Sequence, residues 1–218
     1  MGNLNSVQRD EIILIGPMGV GKTTLALHLS EKLGILNYPV DRLKWYYRFK
    51  NGYNLAKGTK ILMTSGFHEL CNYFNDYFNN NDLAAILDEF KGGIFDFGAS
   101  HSHFENENEL QEAKKILDPF RNIIQLLPSD NFAINCKVLD ERIRKRYEDV
   151  EWKREVLETY IEQNRIFLLS NSYSSLAKET IYTEGKTIEQ VGEEILAKCF
   201  FINETELLKK YFTLNVTF

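Results

Sequence analysis

One stretch restricts the folds open to this chain more than any other: Glu11-Ile-Ile-Leu-Ile-Gly16-Pro17-Met18-Gly19-Val20-Gly21-Lys22-Thr23-Thr24-Leu25. Four apolar residues of strand character, Ile12 to Ile15, stop at a glycine-studded loop. Lys22 and Thr23 then open an amphipathic run carrying Leu25, Leu27, Leu29 and Leu33. This is a complete G-x-x-x-x-G-K-[ST] pattern between a strand and a helix, the context in which the pattern has a physical meaning. A phosphate must be ringed by backbone N–H groups, so the chain has to turn tightly without Cβ atoms in the way, which Gly16, Gly19 and Gly21 allow. The helix starting at Lys22 aims its unpaired N–H groups and positive dipole end at the same place. We therefore take Gly16, Met18, Gly19, Val20, Gly21, Lys22, Thr23 and Thr24 as the expected nucleotide-binding loop. In it the Lys22 ammonium reaches the β- and γ-phosphates and the Thr23 hydroxyl faces Mg²⁺.

The totals exclude several classes. At 218 residues the chain suffices for one α/β domain with a sizeable core. Its net charge of −5 argues against a general nucleic-acid surface. Cys71, Cys136 and Cys199 are odd in number, widely spaced and without metal-ligand spacing, so they read as reduced thiols of a cytoplasmic protein. No run is long and apolar enough for a membrane span. Met1-Gly2 with Ser6 matches an acylation consensus, but that pattern is short and common and is read as chance.

Taken in order, the chain alternates strands and helices. The first helix, from Lys22 to Leu33, should end at Gly34. Ile35 to Val40 reads as a second strand with Asp41 at its carboxyl end, the edge where open α/β sheets bind ligands. Asp41 to Phe49 forms an aromatic and cationic helix, in which Trp45, Tyr46 and Tyr47 pack or flank a pocket. Lys50 to Lys60 reads as a loop. Thr64 to Phe90 should hold helices interrupted at Asn79-Asn80-Asn81-Asp82, with Asp82 as a cap.

Gly92 to Gly98 is a short apolar strand with an acid at its end, and a lone buried carboxylate is expensive unless it has work to do. Asp96 is thus the expected Mg²⁺ carboxylate. The loop beyond it, Ser100 to Glu105, offers His101 and His103. A helix from Asn108 to Leu117, a strand from Asn122 to Leu127 and a last strand from Lys178 to Thr183 follow. The closing helix, Thr187 to Cys199, starts with a capping box of Thr187 and Gln190.

Between the last two strands lies a highly charged segment running to Leu169, with Arg142, Arg144, Lys145 and Arg146 inside five residues. A solvated helix laced with ion pairs would account for them. So would a lid over about residues 140–170 whose Arg142 and Arg146 close on the nucleotide. Residues 200–218 form an appendix with an expected short helix and an alternating tail able to pair at an edge or in a homodimer.

The stretch Ile-Leu-Ile-Gly16-Pro-Met-Gly-Val-Gly-Lys22-Thr resembles the phosphate loop of shikimate kinases. The run from Tyr173 through Ala177 and Thr183-Glu-Gly-Lys186 to the closing helix is similar to that family's carboxyl part. The resemblance spans residues 11 to 199. It implies a P-loop NTPase three-layer α/β sandwich with a five-stranded parallel sheet in the order 2-3-1-4-5, a helical lid, and ATP with Mg²⁺ as cofactors. It places Arg142 on the adenine and Thr183 to Lys186 beside it. Orientation or deprotonation of the acceptor would fall to Asp41, Asp96 or His101. Departures concern the acceptor: Pro39-Val40-Asp41 supplies one acid of the family's two, Gly98-Ala99-Ser100 replaces a triple glycine, and His68 and Leu169 stand where arginines are expected. The implied activity is phosphoryl transfer from ATP to a small acceptor other than shikimate. The alternatives are a nucleoside or nucleotide kinase and an ATP-binding switch acting through a protein partner, with the chain a monomer or homodimer.

Overall fold

In the computed structural model, which describes residues 8–148 and 151–199, strand β1 (Arg9–Ile15) is the middle strand of a five-stranded sheet. The other strands are β2 (Asn37–Pro39), β3 (Ile94–Asp96), β4 (Phe120–Leu127) and β5 (Glu179–Tyr182). All pairings are parallel and the order is β2-β3-β1-β4-β5, as the family resemblance implies. Buried on both faces, the central strands are continuously apolar rather than alternating. Ile13 and Ile15 of β1 face one layer with Phe95 and Phe97, while Ile12 and Leu14 face the other with Leu25, Leu29 and Ile195.

Helices α1 (Lys22–Leu33), α2 (Val40–Lys50), α3 (Leu55–Ser65), α4 (Phe67–Asn75) and α5 (Asn80–Glu89) fill the chain from β1 to β3, apart from β2. After β3 a 3₁₀ turn (Ala99–Ser102) leads to α6 (Glu107–Leu117). Beyond β4 come α7 (Phe132–Tyr147), α8 (Glu151–Leu169) and the short α9 (Ser172–Leu176), and α10 (Ile188–Lys198) closes the fold. Gly34 stops α1 in the left-handed conformation, and Thr187 and Gln190 form the expected capping box of α10.

Four local expectations change. The second strand is only Asn37–Pro39 instead of Ile35 to Val40, and α2 begins at Val40, one residue before the expected helix start at Asp41. Asn54 accepts from Lys57 N and starts α3 inside the stretch read as a loop. At α5 the cap is Asn79, with Asp82 returning the bond from three residues on. Helix α9 lies in a stretch with no expected element. Trp45 packs with Phe49, Tyr53 and Phe74 in a satellite core beneath α2–α4, the packing alternative for that stripe. The appendix at 200–218, the acylation consensus and the side chain of His68 lie outside what is described. Among the described residues no helix is long and apolar enough to cross a membrane.

Candidate active site

The strand registers bring the candidate residues to one edge. Leu14 of β1 lies beside Asp96 of β3, and Asp96 beside Pro39 of β2, so the phosphate loop, Asp96 and Asp41 all leave the sheet at its carboxyl end. Here β1 also sits between β3 and β4, where the connections turn in opposite directions, the usual place for a ligand crevice. Gly16 is held at φ +139°, and a Cβ there would lie 2.5 Å from the Leu126 carbonyl oxygen, so no other residue fits against β4. Gly21 caps α1 at φ +105°.

Lys22 is 8% exposed and donates to the carbonyls of Gly16 (2.8 Å) and Pro17 (2.9 Å). Burial depresses its pKa to about 8, with Arg146 adding to the effect and the carboxylates of Asp96 and Asp41 opposing it. The Thr23 hydroxyl donates to Asp96 Oδ2 at 2.6 Å. Burial raises the Asp96 pKa, against the pull of Thr23 and Lys22. These two hard oxygens fit Mg²⁺, an ion that takes few protein ligands and completes its shell with phosphate and water. Among the described residues no group of three or more metal-binding side chains is gathered, so Thr23 and Asp96 would share the ion with phosphate and water.

Across the crevice stands Asp41. Its side chain is 60% exposed, yet it is closely surrounded: a Cβ on Gly98 would collide with both of its carboxylate oxygens. Its carboxylate thus lies close against Gly98 on one side while staying open to solvent on the other. Burial alone would raise its pKa, but Lys44, at 2.6 Å, reverses this, and with Lys22 holds it at about 2. His101 contributes to that only when protonated, and its own burial, with Lys44 beside it, pushes its pKa well below the ordinary value. Its ring lies 3.8 Å from Asp41, packed against Phe78 and Phe97, with neither nitrogen in a hydrogen bond. His103 stacks on Phe167 instead.

Two residues of this wall were not singled out from sequence. Lys44 and Arg48 are both buried and lie one and two turns along α2 from Asp41, on the same face. Arg48 sits over the rings of Trp45 and Phe74, with Nε buried and unpartnered, and burial lowers its pKa. The spacing Asp41, Lys44, Arg48 on the helix expected over Asp41 to Phe49 was the available signal.

The charged segment forms an antiparallel hairpin of α7 and α8. Arg142 Nη1 reaches the Gly19 carbonyl at 3.4 Å, and Arg146 is near enough to Lys22 to lower its pKa. Other cations of the segment are in ion pairs, Arg144 with Glu158 and Arg165 with Asp140. On the far side, Thr24, Leu27 and His28 of α1 and Thr187, Ile188 and Glu189 line a groove. The turn that begins at Thr183, whose N–H donates to Leu127, leads into this wall, and Lys186 there pairs with Glu194.

No protein-family model matches the chain, and no curated protein matches it by sequence. Solved structures do resemble it. Shikimate kinase from Acinetobacter baumannii, in complex with shikimate, aligns with 87% of this chain and 92% of its own, at 20% identity and a TM-score of 0.55. Shikimate kinase from Bacteroides thetaiotaomicron aligns with 86% and 96%, at 17% identity and a TM-score of 0.51. A gluconokinase from Sinorhizobium meliloti aligns with 95% and 99%, at 12% identity and a TM-score of 0.50. The sheet order and the glycine loop thus define a P-loop fold of the NTPase type. Within that class the chain has the shikimate-kinase-like fold, and at these identities fold is what is shared.

Proposed function

We propose that this chain is a small-molecule kinase, passing the γ-phosphoryl group of ATP to a hydroxyl of a small acceptor. The observation that carries the reading is the juxtaposition of a complete phosphate loop with a solvent-open carboxylate. Lys22, Thr23 and Asp96 lie at one wall of the crevice, Asp41 at the other, and both Asp96 and Asp41 act on the Lys22 charge. In the reaction the acceptor oxygen bonds to phosphorus, the bond to the bridging oxygen breaks and ADP leaves. Lys22 and the arginines of α7 would balance the charge on the phosphates, and Asp41 would accept the acceptor's O–H. Held at about 2, Asp41 orients that hydroxyl without keeping its proton, which leaves to solvent water as the new O–P bond forms, and this suits a reaction in which positioning and electrostatics dominate. Thr23 and Asp96 would hold Mg²⁺, which would supply charge neutralisation to the transferring phosphates.

Two buried cations and one carboxylate on α2 leave the acceptor wall with a positive excess. Buried charge calls for a partner, so the acceptor we infer carries an anionic group beside its hydroxyl, recognised by Lys44 and Arg48. A nucleoside acceptor has less support, because Trp45 is engaged in packing. The test is ADP release from Mg·ATP across anionic and neutral hydroxyl compounds, with Lys22→Ala as control. Stimulation confined to anionic compounds, and absent in the control, is expected. Nucleotide binding without stimulation by any acceptor would move the reading to an ATP-dependent switch that acts on a protein.

A further inference from the structure

Asn164 is 1% exposed in α8, a helix otherwise rich in charge, and a buried carboxamide is costly unless both its ends are paired. Both ends go to one residue of the phosphate loop. The Met18 N–H donates to Asn164 Oδ1 at 2.7 Å, and Asn164 Nδ2 donates to the Met18 carbonyl at 3.2 Å. This is the two-bond exchange that a neighbouring strand would make, supplied here by a side chain.

Two consequences follow from peptide geometry. The Met18 N–H is engaged, which removes it from the donors available to a phosphate. The Met18 carbonyl shares its peptide plane with the Gly19 N–H, and in a trans peptide the two point in opposite directions. Holding that carbonyl toward α8 therefore turns the Gly19 N–H away from α8. The same helix is tied to α7 through Arg144 with Glu158 and Arg165 with Asp140, and α7 touches the next carbonyl of the loop through Arg142.

We propose that Asn164 is a positioning residue for nucleotide binding: its carboxamide sets the Met18–Gly19 peptide in its phosphate-binding orientation and makes the α7–α8 hairpin respond to what the loop holds. This rests on the nucleotide-binding reading above. Nothing in the local sequence marks this asparagine, since its partner lies 146 positions away.

The test is calorimetric titration of the full chain with Mg·ADP, paired with amide hydrogen exchange. The variants are Asn164→Leu, which fills the volume without hydrogen bonds, and Asn164→Asp, which sets an oxygen against the Met18 carbonyl. Both are expected to weaken nucleotide binding ~10-fold or more, through the loss of a buried hydrogen-bonded pair. Both should also speed exchange at the Met18 N–H and lose the nucleotide-dependent slowing of exchange in α7 and α8. Packing alone would predict an Asn164→Leu protein that binds within twofold of wild type and keeps that slowing, and this result overturns the proposal. If Asn164→Leu fails to fold, Asn164→Asp decides by the same criteria. Wild-type protein that binds no nucleotide would instead overturn the kinase reading, and the inference with it.

Discussion

The two walls of the crevice are built from different material. The phosphate wall is mainly backbone: a glycine loop, the start of α1 and carbonyls that hold Lys22, with Thr23 and Asp96 at its margin. The wall proposed to take the acceptor is side chains on α2 and on the turn after β3, namely Asp41, Lys44, Arg48 and His101, fitted around Gly98. A backbone wall keeps its geometry under most substitutions and recognises what every nucleoside triphosphate shares. A side-chain wall can be re-specified one residue at a time, so acceptor choice can change while the phosphate machinery stays.

Substitutions that strike one wall and spare the other test this division. Lys22→Ala should have the largest effect, lowering acceptor-dependent kcat/KM about 10³-fold or more with every acceptor. Circular dichroism should show the fold retained. Next comes Gly98→Ala, whose new Cβ meets the Asp41 carboxylate and must displace it. A shift of about 1 Å there should cost ~10²-fold in kcat/KM, while nucleotide affinity by calorimetry stays within twofold. Equal loss on both sides would show that the walls are one unit.

Arg48→Met should raise KM about tenfold for anionic acceptors and leave neutral ones unchanged. A uniform loss across acceptors would reduce Arg48 to packing. The pH dependence separates the walls further. Lys22 carries its proton in the folded chain only up to about 8, against 10.5 in the unfolded chain, so nucleotide affinity should fall as pH rises above about 8. Over the same interval the unfolded chain binds more protons, so the Lys22 contribution to stability rises with pH. Titrations and melts on wild type and Lys22→Met should show both trends in the first and neither in the second. Asp41, near 2, adds no pH dependence above the ordinary carboxylate range. The smallest effect belongs to Asn79→Ala, which removes the cap of α5 and touches the side chains of neither wall. It should cost about 1 kcal/mol in denaturant unfolding and leave turnover unchanged.

The same division accounts for what could be read in the sequence. The phosphate wall is contiguous, and glycines at a fixed spacing before Lys22 rarely serve any end but phosphate binding, so the loop and the acid at the end of β3 were legible, while the sheet order was legible only through the resemblance to shikimate kinases. The acceptor wall is assembled across the sheet and through α2. The helix over Asp41 to Phe49 is legible, but its aromatic stripe draws the eye, and the i, i+3, i+7 alignment of Asp41, Lys44 and Arg48 points to a site only once burial shows both cations of that alignment to be enclosed. Helix α3 was missed because Gly52 and Gly58 argue for a loop locally, whereas Asn54 supplies a cap and tertiary packing does the rest. Asn164 had no local signal, since its meaning lies wholly in its distant partner.

The grip of Lys22 on Gly16 and Pro17 makes the loop a latch. Any anion that takes the ammonium must first prise it from two carbonyls, so a lone weak anion gains little by entering. A polyphosphate that also fills the ring of N–H groups can open the latch and keep it open. On the proposed reading, selection for nucleotides over smaller anions begins with a competition inside the loop, before any base or sugar is recognised.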